Sequence, residues 1–307
     1  MLDAGPSLPP ALTGERQTFK TSAGALSFYR SLPADSASGL NGTPLLLLHS
    51  INAAGSAYEV RPLYDNYSQQ RPVYALDFPG FGYSERSDRV YSARLMTDAI
   101  HAMVDLIRKE HGGNRIDTLA LSLSSEFLAR AICERPGDYR SAALISPTGF
   151  DKHAPYYDAL GTTRAKPWLY RFLRFPLWSR LIFSLLTTRS SIRHFLERTW
   201  GSKDINEGLL DYDYKTTHEA RARFAPYYFV SGYLFSRDIT RIYEQLALPV
   251  WLAHGDHGDF QDYEYVFKFK GRPNWTVAEF RTGALPFFEL PQEFMRSYEL
   301  FLSRTTL

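Results

Sequence analysis

Short apolar runs alternate with amphipathic segments along most of this chain. In its first half, four such runs are bounded by turn-forming residues: 45–49, 73–77, 116–121 and 142–146. Continuous apolar runs of this length are typical of parallel strands that are buried on both faces of a sheet. Between the second and third runs, residues 93–110 place apolar side chains at helical spacing. The alternation predicts an α/β fold with a mostly parallel central sheet flanked by helices.

The alternating pattern stops after residue 146 and resumes with a further apolar run at 249–253. The stretch between is aromatic, rich in arginine and broken by several prolines, which predicts a set of short helices inserted into the sheet. A strand at 275–280 and a helix at 292–302 then complete the fold. We therefore predict a core domain made of residues 1–146 and 247–307, with a helical cap formed by residues 147–246.

Composition narrows the classes of protein to which the chain can belong. The 307 residues are 44% hydrophobic, and the formal net charge of +2 gives no indication of a nucleic-acid partner. Cys133 is the single cysteine, which excludes an internal disulfide and a zinc site built from cysteines. The first residues contain neither a basic segment nor an apolar segment of the kind found in secretion signals, so we expect a cytoplasmic protein.

Ser122 lies where the third apolar run gives way to a predicted helix. A serine nucleophile on a sharp strand-to-helix turn needs small residues two positions before and two positions after it. Ala120 and Ser124 meet this requirement for Ser122, whereas Ser124 and Ser125 would have larger flanking residues. The alternative is an ordinary helix-capping serine, since serine is common at helix N-termini.

Four further segments resemble the α/β-hydrolase superfamily and occur in its order. They are LLLLHSINAAGSAYEVRPL at 45–63, ALDFPGFGYSER at 75–86, LPVWLAHGDHGDF at 248–260 and TGALPFFELP at 282–291. In that family these positions correspond to the oxyanion segment, the loop after the next strand, the acid loop and the histidine segment. The resemblance implies an α/β-hydrolase fold and acyl-transfer chemistry.

The resemblance also implies roles for individual residues. Ser122 matches the nucleophile, and the backbone N–H groups of Leu123 and Ile51 match the oxyanion hole. Asp259 matches the triad acid, although it follows Gly255 by four positions where the family has three; Asp256 is the alternative, and both aspartates could instead stabilise the turn.

The position of the catalytic histidine is occupied by Ala284. Gly283, Pro286, Glu289 and Pro291 all match the family segment, so the register is not in doubt. A serine without an imidazole lacks its usual base at neutral pH. His257, in the acid loop, is the candidate surrogate base, although a turn or core role is the simpler interpretation.

The aromatic and basic segment at 167–187 admits two interpretations. It contains Arg171, Arg174 and Arg180 among aromatic and aliphatic residues, and its charges exclude a membrane span. We expect it to pack over the site as a lid, with the arginines outward and the aromatic side chains bounding an apolar pocket: Trp168, Phe172, Phe175, Trp178 and Phe183. Weak contact with a membrane surface is the alternative.

Two functional hypotheses follow from these residues. The first is a hydrolase of a hydrophobic ester or amide that uses Ser122 with an incomplete or unconventional triad. The second is a non-hydrolytic family member, either a ligand-binding protein or a lyase or isomerase that uses the oxyanion hole; Ser50 in place of the usual glycine favours it. We expect a small hydrophobic substrate or ligand, no cofactor and no metal, since the histidines show no metal-ligand spacing. The sequence does not specify the oligomeric state.

Overall fold

Eight strands form one sheet in the part of the chain that the structure, a computed structural model, describes: residues 8–33, 42–153, 155–259 and 262–305. The strands are β1 (Glu15–Thr21), β2 (Gly24–Ser31), β3 (Leu45–Leu48), β4 (Val73–Asp77), β5 (Ile116–Leu121), β6 (Tyr139–Ile145), β7 (Val250–Gly255) and β8 (Trp275–Phe280). Their order is β1-β2-β4-β3-β5-β6-β7-β8. The pairs β1–β2 and β2–β4 are antiparallel, and all other neighbours are parallel.

Helices lie on both sides of this sheet. They are α1 (Arg61–Tyr67), α2 (Ala93–Glu110), α3 (Ser124–Glu134), α4 (Pro167–Arg174), α5 (Ser179–Leu186), α6 (Arg189–Trp200), α7 (Glu207–Thr217), α8 (Phe224–Val230), α9 (Ile239–Gln245), α10 (Pro286–Glu289) and α11 (Pro291–Arg304). Successive residues of β3 enter different apolar clusters: Leu46 and Leu48 pack on one face, and Leu45 and Leu47 on the other. Because strand side chains alternate, an uninterrupted apolar run is buried on both faces. The predicted fold class is confirmed.

Several predicted boundaries agree with the structure to the residue. The predicted segments 73–77, 93–110, 116–121 and 275–280 coincide with β4, α2, β5 and β8. The predicted strand at 142–146 instead runs from Tyr139 to Ile145, because the backbone turns at Ser146, where φ is 45°. Polar residues at the start of that strand hid its true beginning, although Ser141 there is completely buried.

Residues 147–246, which we call the helical insert, carry α4 to α9 between β6 and β7. Hydrogen bonds attach the insert to loops and helices that follow several strands. Glu126 of α3 accepts from Ser236 at 2.8 Å, Arg130 pairs with Asp238 at 3.0 Å, and Arg174 pairs with Asp88 after β4. The insert therefore lies against the carboxyl ends of the parallel strands. Its separation as a domain of its own stays a prediction.

The lid prediction is wrong in one respect: the aromatic side chains of α4 do not bound a pocket. Trp168, Phe172 and Phe175 are exposed, and only Leu173 and Phe183 of the α4–α5 pair are buried among the large apolar residues. The three arginines are exposed as predicted, but the buried face of the two helices is small, so most of their apolar side chains are exposed as well. No described helix is both long and apolar enough to span a bilayer.

Candidate active site

Ser122 occupies a strained backbone turn between β5 and α3. Its φ is 49°, a conformation that residues other than glycine rarely adopt, and its N–H donates to Ile145 of the neighbouring strand at 2.8 Å. Such a conformation costs roughly 1–3 kcal/mol and persists only where the surrounding structure enforces it. The turn places the Ser122 side chain beyond the carboxyl end of the sheet, as the sequence predicts.

The neighbouring serines are not available for chemistry. The Ser124 hydroxyl donates to Leu121 O at 2.7 Å, and the Ser125 hydroxyl donates to Ala120 O at 3.3 Å. Both residues are completely buried. Ser122 is half-buried, and its hydroxyl makes no hydrogen bond to any residue that the structure describes. Of the three serines, Ser122 alone presents a hydroxyl without a protein partner.

Ile51 and Leu123 are buried residues at the same edge of the sheet as Ser122. β3 and β5 are adjacent, with Leu48 opposite Ala120, so Ile51 and Leu123 follow neighbouring strands at the same edge. Both residues are buried, and within the described ranges neither N–H donates to a protein acceptor. A buried amide without a partner is uncommon in proteins because of its desolvation cost. Paired donors left open beside a serine can stabilise an oxyanion.

A buried carboxylate holds the loop that carries Ile51. Glu59 accepts from the N–H of Ser50 at 2.7 Å, from its hydroxyl at 3.0 Å and from Asn52 Nδ2 at 2.7 Å. Burial raises the pKa of Glu59. Ser50, where the family has glycine, therefore fastens the loop through its side chain. Sequence reasoning missed Glu59, although an acidic residue inside the segment AGSAYEVRPL was a usable signal.

His49 supports the same loop and is unsuited to proton transfer. Its Nε2 accepts from the Phe78 N–H at 3.0 Å, so its Nδ1 carries the proton and donates to Ser50 O at 2.6 Å. Burial lowers the pKa of His49 to about 4. The imidazole is therefore neutral, and both of its nitrogens are occupied by the backbone.

In the acid loop after β7, the two candidate acids have different partners. Asp259 forms an ion pair with Arg198 of the helical insert, and its N–H donates to Arg198 O at 2.7 Å. Asp256, the alternative acid, is the residue that contacts His257, with 2.6 Å between Oδ1 and Nδ1. The structure therefore brings His257 together with Asp256 and not with Asp259. Both members of this pair are substantially exposed, and no described contact joins His257 to Ser122.

The alanine in the histidine position is fixed by the helical insert. The Ala284 N–H donates to Thr199 O at 2.9 Å, and Ser146 Oγ donates to Ala284 O at 2.7 Å. A methyl group added at Gly283 would lie 2.4 Å from Thr199 O and 2.5 Å from Trp200 Cα. The end of α6 thus lies directly on the segment from which a catalytic histidine would project. Sequence reasoning did not identify Thr199 or Ser146, since their roles depend on contacts between distant segments.

His254, at the end of β7, also contributes to packing. The His254 ring stacks on Tyr263 with 4.3 Å between centroids, and burial lowers the pKa of His254. Among the residues described, no group of three His, Cys, Asp or Glu side chains is arranged to hold a metal ion.

The eight-stranded sheet with its flanking helices is consistent with the comparisons to known proteins. The sequence profile of the Alpha/beta hydrolase family matches residues 45–296. This chain belongs to the α/β hydrolase family. The predicted superfamily is thereby confirmed. No curated protein sequence matches the chain.

Similar solved structures of α/β hydrolases extend over nearly all of the chain. One, described as a probable hydrolytic enzyme from Pseudomonas aeruginosa PAO1, has a TM-score of 0.71 and 18% identity, with 96% of each chain covered. A thermophilic esterase from Thermogutta terrifontis has a TM-score of 0.68 and 14% identity, covering 96% of this chain and 100% of the esterase. A meta-cleavage product hydrolase from Pseudomonas fluorescens IP01 has a TM-score of 0.69 and 14% identity, covering 94% and 97%. At these identities the likeness establishes the fold alone.

Proposed function

We propose that this α/β hydrolase family member is a slow serine hydrolase of a hydrophobic carboxylic ester, with Ser122 as nucleophile. The observation that carries the proposal is the strained turn at Ser122 beside two buried, unpartnered N–H groups, those of Ile51 and Leu123. A fold bears such strain and such unpaired donors where they serve a function. Similar structures that include an esterase support the reaction class.

The reaction starts with attack of Ser122 Oγ on the ester carbonyl carbon. The carbonyl oxygen gains negative charge, which the two N–H groups stabilise, and the alcohol leaves to give an acyl-serine that water hydrolyses. With Ala284 in place of an imidazole, the serine proton passes to water or to a weaker base. Proteins that have lost a triad member keep a rate of about 10³- to 10⁴-fold over water from the oxyanion hole and binding. Turnover is therefore expected to be slow.

A fluorophosphonate probe tests whether the Ser122 hydroxyl reacts. We expect slow labelling of the wild-type protein, loss of labelling in Ser122→Ala, and unchanged labelling in the matched control Ser125→Ala. The same three proteins are assayed with a short activated ester. Labelling that survives Ser122→Ala, or that is absent from the folded wild type over long incubation, contradicts the proposal.

His257 is the candidate surrogate base. A variant at this position distinguishes hydrolysis that uses His257 as the base from hydrolysis without a histidine base. His257 pairs with Asp256 in the acid loop, which is chemically suitable for a base. Since no described contact joins it to Ser122, we expect His257→Ala to change the labelling rate less than about twofold. A loss of 10²-fold or more, the range for general-base catalysis, would instead assign the base role to His257.

A non-hydrolytic, ligand-binding family member is the second candidate. The observation that favours it is the contact of Thr199 O with the Ala284 N–H, which makes the former histidine segment part of the packing of the insert. In this case an ester or ketone should stabilise the wild-type protein against heat without being consumed, and Ser122→Ala should retain that stabilisation. Mass spectrometry of the ligand after incubation distinguishes this candidate from slow hydrolysis.

A further inference from the structure

The pair of helices α4 and α5 has an apolar face that nothing in the described structure covers. Sixteen large apolar residues are exposed among the described residues, and seven of them fall within residues 168–186. We use the name outer face for six of these: Trp168, Phe172, Phe175, Leu177, Leu181 and Leu185. Leu177 is 82% exposed, and Trp168 is 68% exposed. A concentration of this kind marks an interaction surface.

The spacing of these residues puts them on one side of each helix. Trp168, Phe172 and Phe175 follow one another at intervals of four and three residues along α4, and Leu181 and Leu185 are four apart on α5. Trp178, directly before α5, packs on the first row, with its ring 5.4 Å from Phe172 and 4.5 Å from Phe175.

The inner side of the same helices is already occupied. Leu173 and Phe183 are buried against Ala222 and Tyr227 of the insert, and the Tyr227 and Phe183 rings are 5.9 Å apart. Rotating the helices to bury the outer face would expose this cluster. The outer face is therefore a stable feature of the fold, and it has no partner within the described chain.

The charged residues within the segment 166–186 all have the same sign. Residues 166–186 contain Lys166, Arg171, Arg174 and Arg180 and no acidic residue, although the whole chain has a net charge of only +2. Arg174 is paired with Asp88. Arg171 and Arg180 are exposed, and the ion pairs of the described residues include neither of them. Two arginines that form no ion pair with a described residue thus border the apolar surface.

A cavity at the edge of the outer face adds further guanidinium groups. It measures about 640 Å³ and is lined by Arg180, Arg221 and Arg223 together with Asp88 and Glu219. Asp88 is already paired with Arg174. Arg221 has a φ of 65°, so its backbone is held in a strained conformation beside this cavity.

We propose that the outer face binds the surface of an anionic lipid membrane. Apolar side chains enter the boundary of the acyl chains while Arg171 and Arg180 contact lipid phosphates, which is how amphipathic helices lie in a membrane interface. A second copy of the chain fits less well, because a symmetric contact would bring the arginines of both copies together without an acidic residue on the face. The inference does not depend on the reaction at Ser122.

Flotation of the full-length protein with vesicles tests the proposal. One set of vesicles is phosphatidylcholine, and the other is an equal mixture of phosphatidylcholine and phosphatidylglycerol. We expect binding to the mixed vesicles, and a loss of about tenfold or more in the partition coefficient for Arg171→Glu/Arg180→Glu. The matched control is Arg115→Glu/Arg304→Glu, which reverses two exposed arginines elsewhere and should change binding less than about threefold.

A second pair of variants tests the apolar contribution. Leu177→Gln/Leu181→Gln should lower the partition coefficient by about tenfold or more, since two large side chains no longer leave water. Leu300→Gln, at an exposed apolar position on α11, should leave it unchanged. All the altered side chains are exposed, so we expect every variant to fold. Thermal unfolding of each variant checks this.

Three results would overturn the proposal. One is the absence of binding to the mixed vesicles, and another is an equal effect of the outer-face variants and their controls. The third is a wild-type dimer, measured by light scattering, that Leu177→Gln/Leu181→Gln converts to a monomer while vesicle binding is unchanged.

Discussion

The two halves of the candidate site are built alike, from loops that follow parallel strands, yet their contacts differ. The half after β3 and β5 consists of Ile51, Ser122 and Leu123. The N–H groups of Ile51 and Leu123 and the Ser122 hydroxyl make no hydrogen bond to a described residue. The half after β7 and β8 contains the acid loop and Ala284, and its polar groups are used for contacts with the helical insert. We call these the oxyanion half and the histidine half.

The difference lies in what each half is packed against. In the oxyanion half, Glu59 accepts a hydrogen bond from the Ser50 N–H, and His49 donates to the Ser50 carbonyl oxygen. These contacts fix the loop, and the N–H of Ile51 has no described partner. In the histidine half, the end of α6 reaches over the loops, where Arg198 pairs with Asp259 and Thr199 accepts from Ala284. The first arrangement leaves backbone donors without a described partner. The second uses its polar groups in contacts with the helical insert.

Placing a histidine at position 284 gives the largest expected effect. Ala284→His/Arg198→Gln supplies an imidazole and removes the partner of Asp259, so the carboxylate becomes free to orient the new ring. We expect the rate of ester hydrolysis to rise about 10²- to 10⁴-fold, the range of general-base catalysis. Stopped or continuous assays with an activated ester measure it. Ala284→Phe/Arg198→Gln adds a ring without a base and should give no gain; an equal gain would mean that imidazole chemistry is not the cause.

Titration of His49 tests the packing of the oxyanion half. Burial lowers the pKa of His49 from 6.5 to about 4 in the folded protein. The unfolded chain binds a proton at His49 at a higher pH than the folded protein does. The contribution of neutral His49 to the free energy of unfolding is therefore complete above pH 6.5 and is lost as pH falls towards 4. The difference in unfolding free energy between wild type and His49→Gln should therefore shrink by ~3 kcal/mol over that range. Asp77, whose pKa burial raises to about 6, acts in the opposite direction but is common to both proteins. A constant difference, measured by urea unfolding across pH, would contradict this assignment.

Asp213, a residue of the insert near Glu59, is a buried carboxyl group that should lower the stability of the folded protein. It lies buried on α7, its Oδ1 has no hydrogen-bond partner, and burial together with the nearby charge of Glu59 raises its pKa. Asp213→Asn removes a buried ionisable group and should stabilise the protein at neutral pH by roughly 1–3 kcal/mol. Because a raised pKa favours the protonated folded form, the gain should decrease as pH is lowered. A lower melting temperature for Asp213→Asn at neutral pH would show that the carboxylate has a partner after all.

The ion pair between Arg198 and Asp259 should contribute least. Their side chains are 53% and 36% exposed, and exposed pairs contribute about 0.2–1 kcal/mol. Arg198→Gln alone should lower stability by no more than this, with less effect at high salt. A larger loss in chemical denaturation would mean that Arg198 also holds the backbone of the histidine half.

The sequence by itself determined the parallel strands of the sheet and the turn at Ser122. Uninterrupted apolar runs predict buried parallel strands, so β4, β5 and β8 were placed to the residue. Small residues around Ser122 predict the strained turn, because steric exclusion at a sharp bend is a local property. The assignment of Ala284 to the histidine position rests instead on the resemblance of residues 282–291 to the family segment.

Only the tertiary structure decided the contacts between distant segments. No local sequence pattern relates the residues that form these contacts. They are the ion pair between Asp259 and Arg198, the hydrogen bond from Ala284 to Thr199 and the hydrogen bonds from Ser50 to Glu59. The outer face of α4 and α5 was likewise misjudged from sequence. An amphipathic helix pair has two faces, and which one turns inward depends on the packing of Leu173 and Phe183 against α8 and the residues before it. The apolar pattern of the sequence predicts that a helix face will be buried against a partner. Only the tertiary structure shows whether another part of the chain covers that face.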